Sequence, residues 1–313
     1  MPFGVDFEAM KLATIRNNGK LHLAMIQGDA AGGDFTWLPV ADVPGFPVDI
    51  GDMQGVIDQA ATVLPILTSF ANQAGQQQWR ALDKSALLSP IPHPRRNIIC
   101  LGWNYAEHAK ESSAAKDIVI DNLPEHPIVF TKATTTMNAP FADVLYDETV
   151  TCRLDWEVEL GVVIGREGRH IPEAEALDYV FGYTVINDIS ARDLQKRHQQ
   201  FFLGKSVDGT CPMGPWIVTA DEIPEPQNLR LTCKVNKENK QDGNTRQMIF
   251  AVANIISALS KVMTLLPGDI LATGTPSGVG FARTPPEYLK AGDMVECEIE
   301  KIGIIRNHIV TIK

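Results

Sequence analysis

The chain has 313 residues, of which 44% are hydrophobic and 21% charged. That is the make-up of an ordinary globular protein with room for one large domain, or a large and a small one. The formal net charge of -10 argues against nucleic acid or an anionic membrane as partner, yet leaves open an anionic small molecule drawn by a local cation.

From the N-terminus, the segment Met1-Pro2-Phe3-Gly4-Val5-Asp6 lacks the basic and apolar regions of a signal peptide. Residues 11–15 and 21–26 are apolar runs flanking Asn17-Asn18-Gly19-Lys20, which predicts a β-hairpin. Residues 56–71 carry apolar side chains at helical spacing. Three prolines at alternate positions, Pro90, Pro92 and Pro94, predict an extended connector. Residues 1–94 therefore read as a small α+β domain with its connector, and 95–313 as the main domain. Residues 97–102, 127–130, 157–164, 180–186 and 269–273 predict strands, and 297–299 and 304–312 close the chain. Only 249–266 has a long helical period, stopped at Leu265-Leu266-Pro267-Gly268. The overall expectation is an α+β, β-rich fold with a closed or rolled sheet. No apolar run reaches the roughly 18 residues of a membrane span. The five cysteines, Cys100, Cys152, Cys211, Cys233 and Cys297, are widely spaced, which suits reduced thiols in a cytoplasm.

The stretch Asp155-Trp156-Glu157-Val158-Glu159-Leu160-Gly161 carries the most chemistry. Residues two apart on a strand share a face, so Glu157 and Glu159 lie side by side, about 7 Å apart. A solvated acidic edge would look the same. A second run, Val185-Ile186-Asn187-Asp188, places an aspartate at the end of an apolar strand, where an acid is costly unless paired or ligating. Three converging carboxylates make a hard oxygen site for Mg²⁺ or Mn²⁺.

Five motifs together resemble the fumarylacetoacetate hydrolase family. They are the run from Ile99 to Glu111, Glu157-Val158-Glu159, Asn187-Asp188-Ile189-Ser190-Ala191-Arg192-Asp193, Gly204-Lys205-Ser206, and the run from Pro267 to Gly280. They stand in family order over residues 97–313. The resemblance implies a mixed β-sandwich roll of the family's C-terminal type, usually a homodimer. It further implies Glu157, Glu159 and Asp188 as ligands of Mg²⁺ or Mn²⁺, a His108/Glu111 catalytic dyad, and a substrate-contacting Lys205. Gln195 and Thr275 match positions at the substrate's keto-acid end, and Tyr105 and Arg192 lie in the same motifs as candidate substrate contacts. Trp103 departs from the family's usual Arg, Leu or Val, which reshapes the expected pocket.

His108 and Glu111, three apart, share a face if helical, so the glutamate can orient the ring for proton transfer; a surface pair would show the same spacing. The small, polar run 110–125 is expected to act as a lid, or else as an ordinary surface loop. The glycine-rich run 273–280 can hold a substrate carboxylate through its amides, or is simply a tight turn. Arg192 and Asp193 read as a structural ion pair. The expected reaction is metal-dependent hydrolysis of a C–C bond in a 2,4-dioxo acid, an acylpyruvate, with His108 activating water. Alternatives on the same site are decarboxylation of a 2-oxo diacid such as oxaloacetate, isomerisation or hydration of a 2-oxo-enoic acid, and a silent metal-binding paralogue.

Overall fold

The computed structural model describes residues 10–28, 35–115 and 123–312. The first element is the predicted hairpin. Lys11–Asn17 and Lys20–Gln27 pair in antiparallel register with Asn17 opposite Lys20. Asn18 and Gly19 between them have φ of 50° and 74°, the positive pair that a two-residue type I′ turn demands.

The hairpin is not an isolated unit. Lys11–Asn17 pairs with Cys211–Thr219, so the N-terminal strands extend the sheet of the main domain. Among the described residues that sheet has eleven strands. Its central run is Cys211–Thr219, Val180–Asn187, Val158–Ile164, Ile270–Ala272, Ile98–Gly102 and Ile128–Lys132. Neighbours in this run are antiparallel except Ile270–Ala272 against Ile98–Gly102. A second sheet of five strands joins Glu238–Asn244, Arg230–Val235, Met294–Ile299, Gly303–Thr311 and Val144–Tyr146. The fold is α+β and strand-rich, as expected.

Val158–Ile164 is buried along its whole length. Val158, Leu160, Val162 and Ile164 enter a core with Trp216 and Val295 and with the Val252–Val262 helix. Val163, on the glutamate face, enters a separate core with Ile98, Cys100, Ile186 and Ile217. The helices Met53–Asp58 and Ala60–Ala71 supply Val56, Ile57, Val63 and Leu67 to this second core. One helix was predicted over 56–71; Gln59, at φ -115°, divides it in two. Glu157 and Glu159 thus sit where a wholly buried strand begins, with apolar packing on both sides to hold them.

Candidate active site

Backbone pairing brings the three carboxylates together. Val158 is opposite Asn187, the Asp188 amide donates to Glu157 O at 2.9 Å, and the Glu157 amide donates to Asn187 Oδ1 at 3.1 Å. Glu157, Glu159 and Asp188, all buried, place ligand oxygens within 4.8 Å of one another. Cations surround them. Lys205, at the end of the short Phe202–Lys205 helix, reaches Glu157 Oε2 and Asp188 Oδ2, each at 2.6 Å. Arg192 donates to Glu157 Oε1 at 2.6 Å and to Asp155 Oδ2 at 2.8 Å. Lys132 Nζ lies 2.8 Å from Asp188 Oδ1 and donates to Ile189 O.

Four buried acids, Asp155, Glu157, Glu159 and Asp188, therefore face three buried or half-buried bases, Lys132, Arg192 and Lys205. The surplus is negative, and its effect falls unevenly. Burial raises the Glu157 pKa, but Lys205 and Arg192 more than offset it and hold the carboxyl well below the usual range. Burial pushes Glu159 well above that range, helped by Asp188 and Glu157 and opposed by Lys205 and the Gly274 amide. Burial lowers Lys205, yet Asp188 and Glu157 outweigh it and keep the ammonium charged. Asp188 Oδ1 is buried and receives no aligned hydrogen bond among the described residues. An all-oxygen donor set, surplus negative charge and a buried oxygen that receives no aligned hydrogen bond together fit a hard divalent cation.

Beside this cluster, His108 and Glu111 lie on the Ala106–Ala114 helix, and His108 Nδ1 is 2.9 Å from Glu111 Oε1. A carboxylate accepts only, so Nδ1 carries the proton and Nε2 presents its lone pair, with Ser112 Oγ at 3.5 Å. Glu111 is fixed in turn by the Gly278 amide at 3.0 and 2.9 Å. The expected lid over 110–125 is helical to Ala114; residues 116–122 lie outside the described residues.

The glycine-rich run differs from expectation. Its amides hold the protein's own acids: Gly274 binds Glu159 at 2.7 Å, Gly278 binds Glu111, and Gly280 and Phe281 bind Asp155. Through the amides of Gly274, Gly278 and Gly280 the turn anchors acidic side chains of the site. Thr275 faces the cleft and its hydroxyl accepts from Gln241 at 2.7 Å. The expected Arg192–Asp193 ion pair is not formed, because consecutive residues on a helix point apart. Asp193 accepts from Thr151 Oγ1 and the Cys152 amide instead.

A narrow cleft of about 30 Å³, enough for a water or two, is lined by His108, Glu157, Glu159, Arg192, Gln195, Lys205 and Thr275, with Trp103 at its wall. Tyr105 is not in that lining. It is 2% exposed and packs in the core, and burial beside Glu159 raises its phenol well above the ordinary value. Lys132, Asp155 and Gln241 were not singled out from sequence. The available signal for Lys132 was a lysine ending an apolar run, Ile128-Val129-Phe130-Thr131-Lys132.

Comparison with known proteins adds identity to this geometry. Residues 97–310 match the family model "Fumarylacetoacetate (FAA) hydrolase C-terminal". Oxaloacetate tautomerase YisK of Bacillus subtilis (strain 168) is 51% identical over 229 residues, 73% of this chain and 74% of that one. The human mitochondrial oxaloacetate tautomerase FAHD2A is 42% identical over 246 residues, 77% and 76% of the two chains. Among solved structures, the fumarylacetoacetate hydrolase of the psychrophile Exiguobacterium antarcticum superposes with a TM-score of 0.80 at 36% identity, over 97% of this chain and all of that one. These relatives correct the expected reaction. The more similar ones are tautomerases, so C–C hydrolysis with water attack does not stand. No helix among the described residues is long and apolar enough to cross a membrane. With its family model spanning two thirds of its length and its acidic cluster built on the matching strands, the chain belongs to the fumarylacetoacetate hydrolase family.

Proposed function

We propose that this protein interconverts the enol and keto forms of oxaloacetate or a close dicarboxylic 2-oxo acid, with Mg²⁺ or Mn²⁺ held by Glu157, Glu159 and Asp188. The observation that carries this reading is that His108, paired with Glu111, lines the same cleft as Glu157 and Glu159 of the buried acidic cluster; the relatives' names support it.

The reaction moves one proton: the enol loses its hydroxyl hydrogen and C3 gains one. No bond between carbons breaks. His108 Nε2, with only the distant Ser112 hydroxyl at 3.5 Å, is the basic atom, and Glu111 keeps the ring in the tautomer that presents it. Lys205 supplies a fixed positive charge beside the oxygens that become negative. Gln195 and Thr275 position the 2-oxo acid end. Arg192, tied to Glu157 and Asp155, holds the Glu157 carboxylate in place for the ion. A bound divalent cation supplies Lewis-acid stabilisation of that developing charge. The cleft's size argues for a short reacting head.

The test follows the ultraviolet absorbance of enol-oxaloacetate. Loss of the enol should accelerate with enzyme and Mn²⁺ or Mg²⁺, return to the buffer rate in excess EDTA, and stay there for Glu157→Ala with metal present. Acceleration that survives complete chelation would overturn the cation's part. No acceleration under any metal would overturn the tautomerase reading.

A further inference from the structure

The inner cleft adjoins a second, larger chamber. Arg192, Gln195, Phe201 and Phe281 line both. The outer space is about 580 Å³ against about 30 Å³ for the inner one. A dicarboxylic 2-oxo acid has more atoms than the inner cleft admits, so any tail must pass through the shared wall. The chain's net charge is -10, yet among the described residues no carboxylate side chain lines the chamber, while three cations do: Arg153, Arg192 and Lys196.

These cations differ in what occupies them. Arg192 is tied to Asp155 and Glu157. Arg153 and Lys196 are exposed and form no ion pair among the described residues. Arg153 lies over the Tyr288 ring at 5.7 Å, which steadies its guanidinium without neutralising it. The rest of the lining is mixed: Phe201, Phe281, Pro286 and Tyr288 give it apolar faces, and Gln195 and Gln199 add amides. A carboxylate at the end of a short methylene chain matches this set of surfaces: a polar head site, an adjoining space with aromatic faces, and two exposed cations on its wall.

We propose that the outer chamber seats the far carboxylate of a dicarboxylic 2-oxo acid on Arg153 and Lys196, and that it admits chains longer than four-carbon oxaloacetate. This rests on the reading of the inner cleft as the site for the 2-oxo acid head. Arg153 and Lys196 set specificity for the tail and take no part in proton transfer.

Calorimetric titration of the Mn²⁺-loaded protein tests it with three probes. Oxalate is the head alone. 2-Oxoglutarate and 2-oxopentanoate share a head and chain length and differ only in a terminal carboxylate or methyl. The native protein should bind 2-oxoglutarate about tenfold more tightly than 2-oxopentanoate, which is about 1.4 kcal/mol. The preference should shrink at high salt. Arg153→Gln combined with Lys196→Gln should abolish the preference while oxalate affinity stays within about threefold, since both side chains are exposed and outside the inner cleft. Equal binding of the two five-carbon acids by the native protein, or a preference that survives the double variant, overturns the proposal while leaving the head site standing. Failure of oxalate to bind at all instead removes the head site, and this inference with it.

Discussion

His108 is the residue on which the chemistry turns. If Nε2 is the atom that takes up and returns the substrate proton, His108→Ala should lower the tautomerase kcat by about 10²–10⁴-fold while leaving Mn²⁺ affinity nearly unchanged, because no ligand is lost. Metal titration beside steady-state rates checks both; a kcat within about threefold of native would rule His108 out. Glu159 sets the pH response. Burial and its acidic neighbours hold its pKa above the usual range, so at moderately acidic pH the metal-free site keeps a proton there. That proton must leave for the ion to bind. Metal affinity should therefore rise with pH through the raised pKa and flatten above it. Affinity that falls with rising pH would contradict this. Alternation on a strand made Glu157 and Glu159 legible in the sequence, and the apolar run before Asp188 made it legible too. Lys132 was not: a lysine ending an apolar strand looks like a solvated strand end until the fold covers it, and here it is wholly buried against Asp188.

At the scale of elements, the glycine-rich run after Ile270–Ala272 couples the acids of the site to one another. Gly278 has φ of 105°, and a Cβ there would lie 2.1 Å from Lys240 O. Gly278→Ala is strained twice over, in backbone and in space, and it moves the amide that holds Glu111. The cost should be at least about 1 kcal/mol of stability, together with a fall in kcat larger than the fall in metal affinity. A thermal melt and a metal titration separate these effects, and a native-like melt with native kcat would contradict the anchoring role. Elements with a clear period or turn signal were legible: the hairpin, the Val158–Ile164 and Val180–Asn187 strands, and the Val252–Val262 helix. Cys211–Thr219 was not, because Pro212, Gly214 and Pro215 read as a loop although the segment sits inside the sheet. Glu238–Asn244 was missed for a different reason: it is polar throughout, and its membership rests on pairing with Arg230–Val235.

For the whole molecule, the sheet couples the N-terminal segment to the site. Lys11–Asn17 covers the edge of Cys211–Thr219, and the Ala60–Ala71 helix shares a core with Ile98, Cys100 and Ile186. Removing residues 1–94 would expose that edge and that apolar face, both aggregation hazards. The 95–313 fragment should be insoluble or lack a cooperative melt; a soluble fragment with a sharp transition would show that the main domain needs no such cover. The alternating prolines Pro90, Pro92 and Pro94 marked a connector between the two parts, but strand pairing across it is long-range and leaves no local signal. The proposed chemistry is a proton moved at C3 without carbon–carbon cleavage. The most direct measurement is NMR of oxaloacetate in D₂O with enzyme and Mn²⁺, recording deuterium at C3 and pyruvate together. Enzyme-accelerated exchange at C3, lost in His108→Ala, with pyruvate no faster than in the metal-only control, is the expected result. Pyruvate formed as fast as the enol disappears, or C3 exchange no faster than without enzyme, would contradict it.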